Sequence, residues 1–200
     1  LHGRGGIGKT LLAMRVAHEL AGVKGAPFEV IVWFSARDIE LTPRGVCRVQ
    51  QDIADLETVS KLFGELFGQL SDETKGTLDS LARTLHTPSE ITEKGILFVF
   101  DNFESLKHPR EAHRFLDTHT HLPNKVLITS RVRAFKADYP IEVKGMEYDE
   151  AHELLTSLAR HLYVEGIVTD DVITSIYEYA EGHAYVMRLL MGEIAKEKRF

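Results

Sequence analysis

Residues Gly3-Arg4-Gly5-Gly6-Ile7-Gly8-Lys9-Thr10 have the spacing G-x-x-x-x-G-K-[ST] in full. Glycines at these positions let a backbone wrap closely around phosphate oxygens, so that successive N–H groups point inward. Leu12, Val16, Ala17 and Leu20 follow at helical spacing, predicting a helix over 9–21 that ends near Gly22. The dipole of that helix adds its positive end at the same spot. Lys9 is then placed to reach the β- and γ-phosphates, and the Thr10 hydroxyl to coordinate magnesium. The pattern predicts a P-loop that takes ATP or ADP with Mg2+.

Two strand ends extend this chemistry. Ile96-Leu-Phe-Val-Phe ends in Asp101, which puts a carboxylate at the carboxyl end of a buried strand, about ninety residues after the P-loop. That suits a direct or water-mediated magnesium contact; an aspartate capping the next turn is the plainer alternative. Lys125-Val-Leu-Ile-Thr129-Ser130-Arg131 is a second such run. Arg131 there could reach a γ-phosphate and tell ATP from ADP, or be a surface arginine after a strand.

The elements that must hold these residues follow from periodicity. Val30 to Phe34, Ile96 to Phe100 and Lys125 to Ser130 read as strands, with a short fourth at Ile141 to Val143. Helices are predicted around Val59 to Phe67, Leu78 to Leu85 and Pro109 to Asp117, while 37–52, with Pro43 and Gly45, reads as an irregular loop. Strands alternating with helices imply parallel pairing, hence a three-layer α/β P-loop NTPase domain over 1–145. Beyond Gly145 only helical patterns remain, so 146–200 is expected to be a small all-α subdomain. The first motif begins at the third residue, which suggests an excised domain whose P-loop strand is truncated.

Composition narrows the class. With 44% hydrophobic and 27% charged residues the chain reads as an ordinary globular protein. The formal net charge of -6 and the absence of a basic block argue against nucleic acid as a partner of this region. One cysteine, Cys47, allows neither an internal disulfide nor a cysteine metal site, and no apolar run approaches a membrane span. A cytoplasmic setting is the expectation.

Taken in order, the three elements resemble the nucleotide-binding core of STAND-class P-loop ATPases, and particularly the NB-ARC branch in its bacterial form. Asp101-Asn102-Phe103-Glu104 is similar to the "LDN-x-E" Walker B, and Thr129-Ser130-Arg131 to the "TTR" sensor 1. Residues 146–159 resemble the "L-x-x-x-EA-x-x-L" helix, and Gly182-His183-Ala184-Tyr185 stands in the place of "G-L-P-L". The resemblance implies a signalling switch: ADP holds a closed monomer, and ATP permits homo-oligomerisation, with effector and sensor domains in the same longer chain. It further implies that Lys9, Asp101, Asn102 and Arg131 serve hydrolysis, that Thr10 and Asp101 hold Mg2+, and that the Arg131 strand lies beside the P-loop strand.

This sequence departs from the family at three points. Ala184 replaces the proline near the adenine. Leu11 replaces a second hydroxyl residue, leaving a backbone N–H for the α-phosphate. Asn102 stands where faster AAA+ ATPases have a glutamate, so hydrolysis is expected to be slow. Glu104 could substitute for that glutamate, but is read first as a surface residue at a helix start. Competing readings are an AAA+ loader or remodelling machine, a module that binds nucleotide without hydrolysing it, and a small-molecule kinase. His108, His113, His119 and His121 match no zinc spacing. Trp33 reads as core, and the charged run from Glu193 to Arg199 as a solvated helix face.

Overall fold

A computed structural model describes residues 1–42, 45–67, 76–88 and 91–198, and of the stretch 39–47 the backbone alone. Its elements run α1 (Lys9–Gly22), β1 (Phe28–Ser35), β2 (Ile39–Thr42), β3 (Gly45–Arg48), α2 (Leu56–Leu66), α3 (Leu78–His86), β4 (Gly95–Asp101), α4 (Pro109–His119), β5 (Lys125–Ile128), α5 (Tyr148–Leu162), α6 (Asp170–Ala180) and α7 (Ala184–Glu197). Contacts group them into two compact units. One comprises Leu1–His2, Lys9–Asp38 and Val49–Ile141, the other Gly3–Gly8, Ile39–Arg48 and Glu142–Phe200.

In the first unit β4 is the middle of a parallel sheet of order β1-β4-β5. Every residue of β4 is buried, as expected of a strand covered on both faces. Alternation along the strand sends Ile96, Phe98 and Phe100 to one face and Leu97 and Val99 to the other. The first set joins Val32 and Phe34 of β1 with Val59 and Phe63 of α2, Leu81 and Leu85 of α3, and Ala112 and Leu116 of α4. Phe34 stacks on Phe100 at 5.2 Å, and Phe63 packs on Phe98 at 5.8 Å. A fully buried phenylalanine contributes about 1.5–3 kcal/mol, so this face is the main source of cohesion. The opposite face is covered at β1 by α1. Helix, sheet, helix is the three-layer arrangement expected.

Asn124 ties two of these layers together. Its side-chain carbonyl accepts from Ile96 N at 2.8 Å, while its amide donates to Thr84 O and Leu85 O. One buried side chain thereby fixes the end of α3 against the start of β4. Beyond β5, the parallel pairing continues into the first two residues: Ser130 N donates to Leu1 O at 2.9 Å, and His2 bridges Ser130. The segment that leads from β5 to Arg131 therefore lies next to Leu1 and His2, just ahead of the P-loop.

Three expectations change. The stretch 37–52 is not wholly irregular, because β2 and β3 pair antiparallel from Ile39↔Arg48 to Thr42↔Gly45. The alternation Ile39-Glu40-Leu41-Thr42 carried that signal; residues 43–44, including Pro43, lie outside the described residues. Over 141–143 the expected strand is reduced to an isolated bridge residue, Glu142. Ile141 is 54% exposed, so burial offers little to order it, and its carbonyl accepts a bond from His2 N. Trp33 is not core. It is half-buried on the α1 side of β1, where it lines a cavity.

In the second unit α5, α6 and α7 close on Ala151, Leu155, Ala159, Ile173, Ile176, Met187 and Met191. The stretch 145–146 crosses 181–182 at main-chain contact distance: Met146 N donates to Gly182 O, and a Cβ on Gly182 would sit 2.2 Å from Met146 O. Arg199, the end of the charged run, lies outside the described residues.

Candidate nucleotide site

The P-loop backbone takes conformations that its glycines permit. Gly8 has φ +117°, a conformation that side-chain-bearing residues rarely adopt, and a Cβ there would meet only open space. Gly3, at φ +155°, is fixed by space as well, since a Cβ would approach Val143 O to 2.5 Å. Ile7 is buried and anchors the loop, while Gly5 and Gly6 lie in its turn. Within the same unit Tyr185 N donates to Gly6 O at 3.2 Å, which joins the segment 182–185 to the loop by main chain. Arg4 pairs with Glu181 at 3.6 Å, but both side chains are exposed and the pair adds little.

Lys9 and Thr10 open α1. Lys9 is buried, with 6% exposure. Burial pushes its ammonium below its usual pKa; Glu104 raises it, Arg131 lowers it and Asp101 raises it. Leu11 is 64% exposed, so its side chain contributes little to packing here.

Asp101 ends β4, is 2% exposed, and is held from two sides. Thr10 Oγ1 donates to Asp101 Oδ1 at 2.8 Å, and Thr129 Oγ1 donates to the same oxygen at 2.6 Å. The first bond joins the P-loop hydroxyl to the strand-end carboxylate across ninety-one positions of sequence. The second comes from a residue to which sequence reading gave no separate role. Thr129 Oγ1 also accepts from Asn102 N at 3.0 Å, and Thr129 O accepts from Phe103 N. Thr129 thus sets the path of the chain directly after Asp101.

Asn102 lies in the left-handed region at φ 56°. Asparagine tolerates that conformation better than most side chains, which gives a backbone reason for its presence. After it comes a 3-10 turn, Phe103–Ser105. Glu104, in that turn, differs from the surface residue expected. Its side chain is 16% exposed, and Arg131 Nε lies 3.3 Å from its Oε1. Neither carboxylate oxygen has a hydrogen-bonding partner among the described residues. The Arg131 contact is one of charge, without hydrogen-bond alignment.

A cavity of about 530 Å³ borders Thr10 and Asp101 on the α1 face of the sheet, with Met14, His18, Trp33 and Arg37 in its wall. Elsewhere, His113 stacks on Phe135 and His86 packs on His121.

A parallel sheet with helices on both faces, a glycine loop leading into a helix, and a strand-end aspartate bonded to the loop hydroxyl define a P-loop NTPase. The model of the NB-ARC domain matches residues 1–164. The chain belongs to the NB-ARC family, a nucleotide-binding ATPase module. No curated protein is matched by its sequence. Among solved structures it is similar to PCH-2 of C. elegans, at 16% identity and TM-score 0.53, covering 100% of this chain and 60% of that one. The ORC2 protein of Aeropyrum pernix, solved as ADPNP-ADP complexes, gives 16% identity and TM-score 0.51 over 98% of this chain and 60% of its own. A STAND protein with a tetratricopeptide repeat sensor, PH0952 of Pyrococcus horikoshii, matches at 18% identity and TM-score 0.49 over 92% of this chain and 25% of its own. The chain spans about three-fifths of the first two and a quarter of the third. Among the described residues no helix is long and apolar enough to cross a membrane.

Proposed function

We propose that this chain is the nucleotide switch of a STAND-type signalling ATPase. It binds ATP with magnesium, hydrolyses it slowly, and couples the nucleotide state to homo-oligomerisation, with effector and sensor parts elsewhere in the protein. In this reading residues 1–145 are the nucleotide-binding part and 146–200 the helical part. The observation that carries it is the bond from Thr10 to the buried Asp101, because it brings the two expected magnesium ligands to one point.

The donor chemistry fits the ion. A hydroxyl and a carboxylate are hard oxygen ligands, and magnesium characteristically takes one or two carboxylates and completes its shell with phosphate oxygens and water. When bound there, held by Thr10 and Asp101, it would offset phosphate charge. The remaining work belongs to the chain. The N–H groups of 3–11 cradle the phosphates, with Leu11 contributing its main chain alone. Lys9 supplies a buried cation to the β- and γ-phosphates, where water does not screen it. Arg131 reads the γ-phosphate. Asn102 can hold a water by its amide but is a poor proton acceptor, so water activation is weak and the ATP state persists.

The test is nucleotide binding and steady-state phosphate release by the full-length protein. Lys9→Ala is expected to lower ATP affinity at least about tenfold, and unchanged affinity would remove the P-loop assignment. Wild-type turnover is expected on the order of 10⁻³ to 10⁻² per second without an activator. Turnover of several per second would favour an AAA+ machine instead.

A further inference from the structure

Glu104 is a buried carboxylate whose oxygens receive no hydrogen bond from the described residues. Desolvating a carboxylate without donors is costly unless opposite charge compensates. Two cations do so here. Arg131 Nε stands 3.3 Å from Oε1, and Glu104 is the largest charge acting on buried Lys9. Both cations are the ones assigned above to the terminal phosphates. An anion is therefore already present where the γ-phosphate's counter-ions converge, and it is supplied by the protein itself.

We propose that Glu104 is a built-in substitute for the γ-phosphate, neutralising Arg131 when no triphosphate is bound and thereby weighting the site toward ADP. This rests on Arg131 as the γ-phosphate sensor. A diphosphate leaves the Glu104–Arg131 pair undisturbed. A triphosphate must draw Arg131 away from it, and its γ-phosphate then shares the site with a second buried negative charge. Part of the ATP binding energy is spent on that exchange, whereas none of the ADP binding energy is. The carboxylate is a positioning group that acts through Arg131; it does not touch the reacting atoms in this proposal.

The experiment measures the ATP and ADP dissociation constants of the full-length protein, with magnesium, for wild type, Glu104→Gln, Glu104→Asp and Arg131→Ala. Glu104→Gln keeps the shape and removes the charge. It is expected to tighten ATP binding at least about fivefold relative to ADP, while Glu104→Asp, which keeps the charge, stays near the wild-type ratio. Partial unfolding scales both affinities equally, so the ratio stays informative even in a weakened variant. Arg131→Ala is expected to weaken ATP and spare ADP. If that variant weakens both equally, the sensor reading fails. If it selectively weakens ATP, yet Glu104→Gln leaves the ratio unchanged or favours ADP, the sensor reading stands and the role of Glu104 is overturned.

Discussion

Thr129 and Asp101 share a 2.6 Å hydrogen bond in which the threonine hydroxyl donates to the same carboxylate oxygen that receives Thr10. Since Thr129 also accepts the amide of Asn102, one hydroxyl aligns both the carboxylate and the backbone that follows it. Thr129→Val keeps the shape and leaves a buried carboxylate and an amide short of a partner. A loss of about 1–3 kcal/mol in denaturant-derived stability is expected, with Thr129→Ser recovering most of it. Wild-type stability in the valine variant would show that water replaces the hydroxyl.

Asn102 carries two demands, and they can be separated. Its φ of 56° suits glycine, so Asn102→Gly should keep stability near wild type. Asn102→Glu puts a poorly suited residue in the left-handed region at about 1–2 kcal/mol, yet adds the carboxylate that, in the function proposed above, water activation lacks. Phosphate release is expected to rise in the glutamate variant despite its lower melting temperature. No rise would mean that water activation is not the slow step.

Trp33 is the only tryptophan in the sequence, and it lines the cavity beside Thr10 and Asp101. Titration with magnesium and ATP is expected to change its emission. The change should vanish in Trp33→Phe and shift to higher nucleotide concentration in Lys9→Ala. Emission indifferent to saturating nucleotide would separate this cavity from the nucleotide site.

Asp55 caps α2 through Thr58, whose hydroxyl and amide both donate to Asp55 Oδ1. The Thr58 hydroxyl first, then its amide, hold the Asp55 carboxyl down at about 2, against an ordinary 3.8. A depressed carboxylate pKa stabilises the fold fully above its unfolded value, and the contribution is lost as pH falls through about 2. Asp55→Ala should cost about 1 kcal/mol at neutral pH, and Asp55→Asn considerably less. Comparing melting curves at pH 7 and near pH 2 checks the sign, since the alanine deficit should shrink in acid.

What the sequence disclosed was local or fully buried. The P-loop is a contiguous spacing, and β4 is an uninterrupted apolar run, so neither needs a partner to be recognised. The missed features depend on faces and pairing. Trp33 lies in an apolar run like Val32 and Phe34, and only the α1 side of β1 distinguishes it. Glu104 follows a turn and reads as exposed until Arg131 is brought beside it from twenty-seven positions on. Thr129 reads as the polar end of a strand, and its role arises from the β4–β5 register, in which Phe100 pairs with Ile128. The hairpin of β2 and β3 had its alternation in view, but proline and glycine nearby argued for a loop.

The main-chain bond between Tyr185 and Gly6 has an evolutionary consequence. Both donor and acceptor are common to nearly every amino acid, so the tether survives drift in residue type at either end. Homologues could share it with no shared letter to reveal it. The first turn of a helix ordinarily accepts proline, because its N–H groups have no partner inside the helix. At 185 that licence is withdrawn, because the N–H is already engaged with the loop. The constraint would surface in a collection of related sequences only as a missing proline, one position after the site where the family favours one.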